Sequence, residues 1–281
     1  CELEFISLQT LKNRFMKQLK LMVLTLTLLM GTMFTSCMDS GESGPQQWAG
    51  VVKVNDRMGY VTFTDAAGTE LIPTNTIPVT LNARMAYIYC QVDEGQDLST
   101  NPKSIKITLL ADPTGIDATA ITTPKVESSD VTTNAPVGSL SFASGYSTVA
   151  PFQFSENTIV LPVLYRVKNV TTTEDIKNEL AKHTFTLVCY TDDIKSGDTI
   201  LKLYLRYTVE DEPSAIAERA TRTSSFKAYE ISQILREYTL KSGQTKPAKI
   251  TIVAQQNEYN NKLEDTSTIE KVYEIEYKTA E

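Results

Sequence analysis

The chain has 281 residues, with 27 Lys and Arg against 34 Asp and Glu, for a formal net charge of −7. Without a cluster of basic residues this balance excludes a nucleic-acid partner, because phosphate contacts need concentrated Lys and Arg. The length suits one large domain or two small ones.

The first element is near the start. Met16-Lys-Gln-Leu-Lys is followed by an apolar run from Leu21 to Phe34 and then by Thr35-Ser36-Cys37. Lys17 and Lys20 form a positive n-region, and Leu21 to Met30 form an h-region of roughly a dozen residues, within the signal-peptide range. A transmembrane helix needs about 20 apolar residues, and this run is broken by Thr25, Thr27, Gly31 and Thr32. The pattern is that of a bacterial lipoprotein signal over residues 16–36, read as a signal helix, with Cys37 the lipidated first residue of the mature chain. Phe34 stands where such motifs usually carry Leu. Residues 1–15 read as upstream sequence or a mis-set start. Residues 37–46, with Gly41, Gly44 and Pro45, read as a polar tether that does not pack. Removing 1–36 takes away four basic residues (Lys12, Arg14, Lys17 and Lys20) and two acidic ones (Glu2 and Glu4), so the mature chain carries −9.

Two-residue alternation then dominates. Strands are expected at Trp48–Val54, Gly59–Thr64, Glu70–Ile72, Asn82–Val92 and Lys103–Leu110, with turns at Asp56–Gly59 and Ala66–Gly68. Five strands in about 65 residues predict a small closed barrel of the OB type over residues 47–112. Residues 113–136, rich in Pro, Thr, Ser and Asp, are expected as a linker. Residues 137–281 read as a β-sandwich. Its strands are expected at Asn157–Val167, Thr184–Thr191, Thr199–Val209, Ser225–Ile231, Ala248–Gln255 and Glu270–Tyr277. A helix is expected over Thr171–Lys182, with Thr171 and Glu174 as a capping box, and a short one over Ser232–Leu240. Glu210–Thr223 is expected as a loop. The fold class is therefore mainly β, an OB-like barrel followed by a sandwich.

The search for chemistry returns little. Cys90 and Cys189 sit in apolar alternating segments and read as buried free thiols. The single histidine, His183, reads as a capping or surface residue. One His with two separated Cys excludes the usual zinc sets. There is no Gly-x-Ser-x-Gly elbow, no Walker A loop and no Gly-x-Gly-x-x-Gly. Asp192, Asp193 and Asp198 share one turn, read as solvated because the spacing is not that of an EF-hand. Tyr87 and Tyr89 share one strand face and Tyr60 lies on another strand; these three are the candidate ligand-binding residues, since aromatic faces stack on ligands.

The lipoprotein signal, the strand Trp48-Ala-Gly-Val-Val-Lys-Val, the segment from Asn82 to Val92 and the segment Gly197-Asp-Thr-Ile-Leu-Lys-Leu-Tyr-Leu-Arg-Tyr together resemble the NigD-like lipoproteins. The resemblance covers nearly all of the mature chain. It implies an N-terminal OB domain and a C-terminal β-sandwich. It implies no established activity and carries over no functional residue; the family's name points to bacteriocin production.

The expectation is a non-enzymatic protein of the bacterial envelope, held at the outer membrane by a lipid on Cys37, with a protein or glycan partner and no cofactor or metal. The alternative is a bacteriocin-associated immunity or structural lipoprotein, and a hydrolase ranks third.

Overall fold

A computed structural model describes residues 46–57, 59–75, 81–96, 98, 102–125, 131–144 and 147–279. The expected signal helix, Cys37 and almost all of the tether lie outside the described residues.

The first strands are β1 (Gln47–Arg57), β2 (Tyr60–Thr64), β3 (Glu70–Pro73), β4 (Met85–Val92), β5 (Ser104–Leu109) and β6 (Thr114–Ile116). They pair in the order β1-β2-β3-β5-β4, and β4 returns to β1, so five strands close into the OB-like barrel; β6 adds beside β4. The alternation explains which side is inside. Trp48 and Val52 on β1, Phe63 on β2, Leu71 on β3, Ala86, Ile88 and Cys90 on β4, and Ile105, Ile107 and Leu109 on β5 form one buried cluster. Their odd-spaced neighbours point outward. The β2–β3 turn is tied by Asp65, whose Oδ1 accepts the amides of Ala67 and Thr69 at 2.9 and 2.8 Å. Gly68 there has φ +86°, a conformation that a Cβ disfavours.

The chain continues through β7 (Ala118–Ala120), β8 (Phe142–Ser144), β9 (Ser147–Val149), β10 (Phe152–Ser155), β11 (Thr158–Val167), β12 (His183–Val188), β13 (Ile200–Val209), β14 (Thr221–Glu230), β15 (Lys249–Gln256) and β16 (Ile269–Glu276). Three α-helices, α1 (Thr173–Ala181), α2 (Pro213–Ala217) and α3 (Ser232–Ser242), and a 3-10 turn at Thr191–Asp193 interrupt them. Two four-stranded sheets result, β10-β11-β14-β7 and β12-β13-β15-β16, and β8 pairs with β9 as a ribbon. Ile159, Leu161, Val163 and Tyr165 of the first sheet share one buried cluster with Leu201, Leu203, Leu205, Ile250 and Ile252 of the second. This is the sandwich core that period-two alternation specifies. Contacts divide the chain into two compact units, the first containing residues 46–82 and 86–115, the second 116–144 and 148–279.

Three local expectations change. Residues 113–136, read as a linker, contain β6, β7 and an isolated bridge from Thr122 to Val188, and Ala135 is fully buried. Threonine lowers hydrophobicity without lowering strand propensity, so composition read as linker where sheet edges offered backbone partners. The cap of α1 is Thr172, not Thr171: its Oγ1 accepts the Asp175 amide at 3.1 Å. The Glu210–Thr223 stretch, read as a loop, holds α2, with Pro213 at its start, and the first residues of β14.

Candidate functional site

At one end of the sandwich a group of charged side chains is sealed inside. His183 begins β12 and its side chain is 1% exposed, so the reading of a surface or capping histidine is corrected. β-Alternation places it on the same face as Phe185 and Leu187, toward the core. Its Nδ1 lies 2.6 Å from the Tyr207 hydroxyl and its Nε2 3.3 Å from Glu179 Oε1. Burial pushes the Tyr207 phenol far up, so it keeps its proton and is able to donate to a neutral Nδ1. The Glu179 carboxylate only accepts. The imidazole is then neutral, with its proton on Nε2. Burial, its largest influence, lowers the His183 pKa against the opposing pull of Glu179, which agrees with that assignment.

Glu179 also accepts the Lys168 amide at 2.9 Å and a two-pronged contact from Arg219. Burial would raise its pKa, but these donors outweigh burial and hold the carboxyl below its ordinary range. Arg219, 1% exposed, further donates to Asp211 Oδ2 at 3.1 Å and to the Ala215 carbonyl at 2.9 Å. Lys168 and Lys182 close on the same Asp211 oxygen at 3.1 and 3.3 Å. Every member is engaged, which is the condition under which buried charge is tolerated.

Elsewhere in the second unit lies a cleft of about 480 Å³. Leu235, Leu240 and Tyr277 provide its apolar walls, and Glu156, Arg236 and Lys246 its charges. Lys246 Nζ bridges to Glu156 Oε1 at 2.5 Å, and the Tyr277 hydroxyl donates to the Glu156 carbonyl at 3.1 Å. Arg236 forms no ion pair among the described residues. Leu240 is 77% exposed, although α3 buries Ile234 and Tyr238 on its other side.

The other expected residues are scattered. Tyr60 is exposed and lies opposite Arg57 at one end of β1. Tyr89 donates to Gln47 Oε1 at the other end, ten positions away, or roughly 30 Å along the strand. Tyr87 is half-buried on the outer face beside Tyr89. The structure thus keeps Tyr87 with Tyr89 and leaves Tyr60 apart. Asp192 pairs with Lys241 at 2.8 Å, and Asp198 accepts the Lys195 amide at 2.7 Å. Among the described residues no three His, Cys, Asp or Glu side chains are placed to hold a metal. Cys90 and Cys189 are buried and unbonded, and burial pushes both thiols up to about 12.

No protein-family model matches the chain, and no curated protein matches it. A solved structure does. A protein of Bacteroides fragilis NCTC 9343, provisionally classed as a lipoprotein, is 95% identical over 84% of this chain and 100% of its own, with a TM-score of 0.78. The chain belongs to that family of Bacteroides lipoproteins. The resemblance to NigD-like lipoproteins read from the sequence agrees with this membership. A protein of unknown function from Bacteroides vulgatus ATCC 8482 is similar to this lipoprotein in fold alone, at 12% identity over 83% of this chain and 92% of its own, TM-score 0.53. A NigD-like immunity protein from Bacteroides caccae ATCC 43185 aligns at 11% identity over 82% of this chain and 93% of its own, TM-score 0.47, too faint a likeness to bear on function.

Sequence reading of the lipoprotein missed the cleft because its walls come from three distant stretches: the β10–β11 turn, α3 with the residues after it, and the end of β16. One signal was available. Leu240 is an apolar residue out of phase with the buried positions Ile234 and Tyr238 on the same helix.

Proposed function

We propose that this lipoprotein is a non-enzymatic binding protein of the bacterial envelope, anchored through acyl chains on Cys37, and that the cleft beside α3 takes a protein or glycan segment. The observation that carries this reading is the pairing, in one cleft, of a largely exposed leucine with a guanidinium that lacks an ion-pair partner among the described residues. Leu240, 77% exposed, joins Leu235 and Tyr277 in an apolar lining of the kind on which concave ligand sites are built. The excess of Arg236 and Lys246 over Glu156 favours a ligand with a negative group.

The non-enzymatic part rests on the chemistry of what is buried. The single imidazole is enclosed with both ring nitrogens engaged, and the two thiols of the described residues are held protonated by burial. Such groups do not reach a bound substrate.

The test is a screen of the purified mature protein against glycan and peptide arrays, repeated with Leu240→Asp and Arg236→Glu. Binding that both substitutions abolish supports the cleft. Binding that survives both places the site elsewhere, and turnover of any array member overturns the non-enzymatic reading. Replacing Cys37 with Ala is expected to move the protein from the membrane to the soluble fraction. Unchanged membrane retention would remove the anchor.

A further inference from the structure

Two arginines stand side by side on the face of the first sandwich sheet that is turned away from the core. Arg166 on β11 and Arg222 on β14 are direct Cα partners in the antiparallel register. Like charges directly opposite on a sheet are unfavourable, and a sequence keeps such a pair at a cost unless something neutralises it. Both guanidinium groups converge on one acceptor. Arg166 Nη2 and Arg222 Nη2 donate to the Glu258 carbonyl oxygen at 2.5 and 2.7 Å. Sharing that oxygen, the two nitrogens lie within roughly 5 Å of each other.

The usual neutralising partner is missing among the described residues. Neither arginine forms an ion pair there. The Glu258 carboxylate, on the residue whose carbonyl the pair shares, instead accepts from Gln256 Nε2 at 3.2 Å. Arg166 is 5% exposed, and its Nε has no hydrogen-bond partner. Burial, and then the charge of Arg222, lower its pKa, as expected for a buried cation facing another cation. Arg222 is exposed and leaves the pair open to solvent on one side. The carbonyl on which they meet is held in place. Asn257, 1% exposed, turns the chain by accepting the amides of Tyr259 and Asn260 on its Oδ1 at 2.9 and 3.0 Å. Tyr259, 78% exposed, follows directly.

We propose that Arg166 and Arg222 form a binding site for a phosphate group, either the free ion or a phosphomonoester. The pair supplies two positive charges and several N–H donors within the span of one tetrahedral dianion. A carboxylate would cancel only one of the charges. This site is independent of the α3 cleft, and its success or failure leaves the cleft reading untouched.

The experiment uses the mature full-length protein and isothermal titration with inorganic phosphate at constant ionic strength, with chloride and acetate as references. Phosphate is expected to bind, acetate at least tenfold more weakly. Arg222→Gln, at an exposed position that folding tolerates, is expected to weaken phosphate binding at least tenfold. Arg222→Lys keeps the charge and loses the planar fork, and falls between. Vesicles of phosphatidylcholine with phosphatidic acid identify the source. Vesicle binding that inorganic phosphate competes away assigns a lipid headgroup; phosphate binding without vesicle binding assigns a soluble phosphate. No phosphate binding above the chloride reference, or equal binding in Arg222→Gln, overturns the proposal.

Discussion

Arg219 Nε meets Glu179 Oε1 at 2.7 Å while its Nη2 meets Oε2 at 3.2 Å, a two-pronged pair buried at the end of the sandwich. Fully enclosed ion pairs gain little net stability, because desolvation offsets their attraction. Removing one partner is a different matter. Glu179→Ala leaves Arg219 with Asp211 as its one remaining carboxylate and takes the acceptor from the Lys168 amide and His183 Nε2; it is expected to cost about 3 kcal/mol. Replacing both with apolar residues of similar volume, as Glu179→Leu with Arg219→Met, is expected to recover most of that loss. Urea unfolding of the single and double variants measures both. Equal stability of Glu179→Ala and the native chain would show that the pair does not hold the end of the sandwich.

His183 sets a second expectation, in pH. Its folded pKa lies below the ordinary 6.5, so on acidification the unfolded chain takes up this proton first. The contribution is complete above pH 6.5 and is lost as the pH falls through that value toward the folded pKa. Glu179 and Asp211 are also depressed, the first by its donors against burial, the second by Lys168, Arg219 and Lys182. Their contribution is present above the ordinary carboxylate range and fades below it. Stability should therefore fall in two stages on acidification. In His183→Gln the stage between pH 7 and 5, roughly the window of an ordinary histidine, should flatten. An unchanged slope would mean that His183 has the same pKa in the folded and unfolded chain, against the burial seen here.

The α1 cap separates two neighbouring threonines. Thr172→Ala is expected to destabilise by roughly 1 kcal/mol, the ordinary cost of a lost N-cap. Thr171→Ala should stay within about 0.5 kcal/mol of the native chain. Thermal unfolding of the two variants side by side decides which residue caps the helix.

The end of α3 tests backbone rather than side chain. Gly243 closes it at φ +75° with open space where a Cβ would stand, and its amide donates to the Thr239 carbonyl at 3.1 Å. Gly243→Ala is therefore expected to cost roughly 1 kcal/mol through conformation alone, without a steric clash. Denaturant unfolding that shows no loss would place the residue outside the left-handed region.

Much of the fold was legible because period-two alternation is written locally. Ile88 and Cys90 alternate with Tyr87 and Tyr89, and Leu201, Leu203 and Leu205 with Lys202 and Tyr204; each series gives a strand and its buried face without any knowledge of partners. The expectation of a lipoprotein signal ending at Cys37 likewise rests on a linear pattern that needs no fold. What the sequence left open depends on which distant strands meet. His183 directly follows the expected helix Thr171–Lys182 and reads as exposed there, yet pairing with Val209 turns it inward beside Tyr207. Arg166 and Arg222 are 56 positions apart and unrelated in sequence until the antiparallel register of β11 and β14 sets them face to face. Glu156, Lys246 and Tyr277 share a cleft wall for the same reason. Alternation encodes which side of a strand is apolar. Only register and packing decide which charges are brought within reach of one another, since Coulomb and hydrogen-bond energies depend on distances in space and not along the chain.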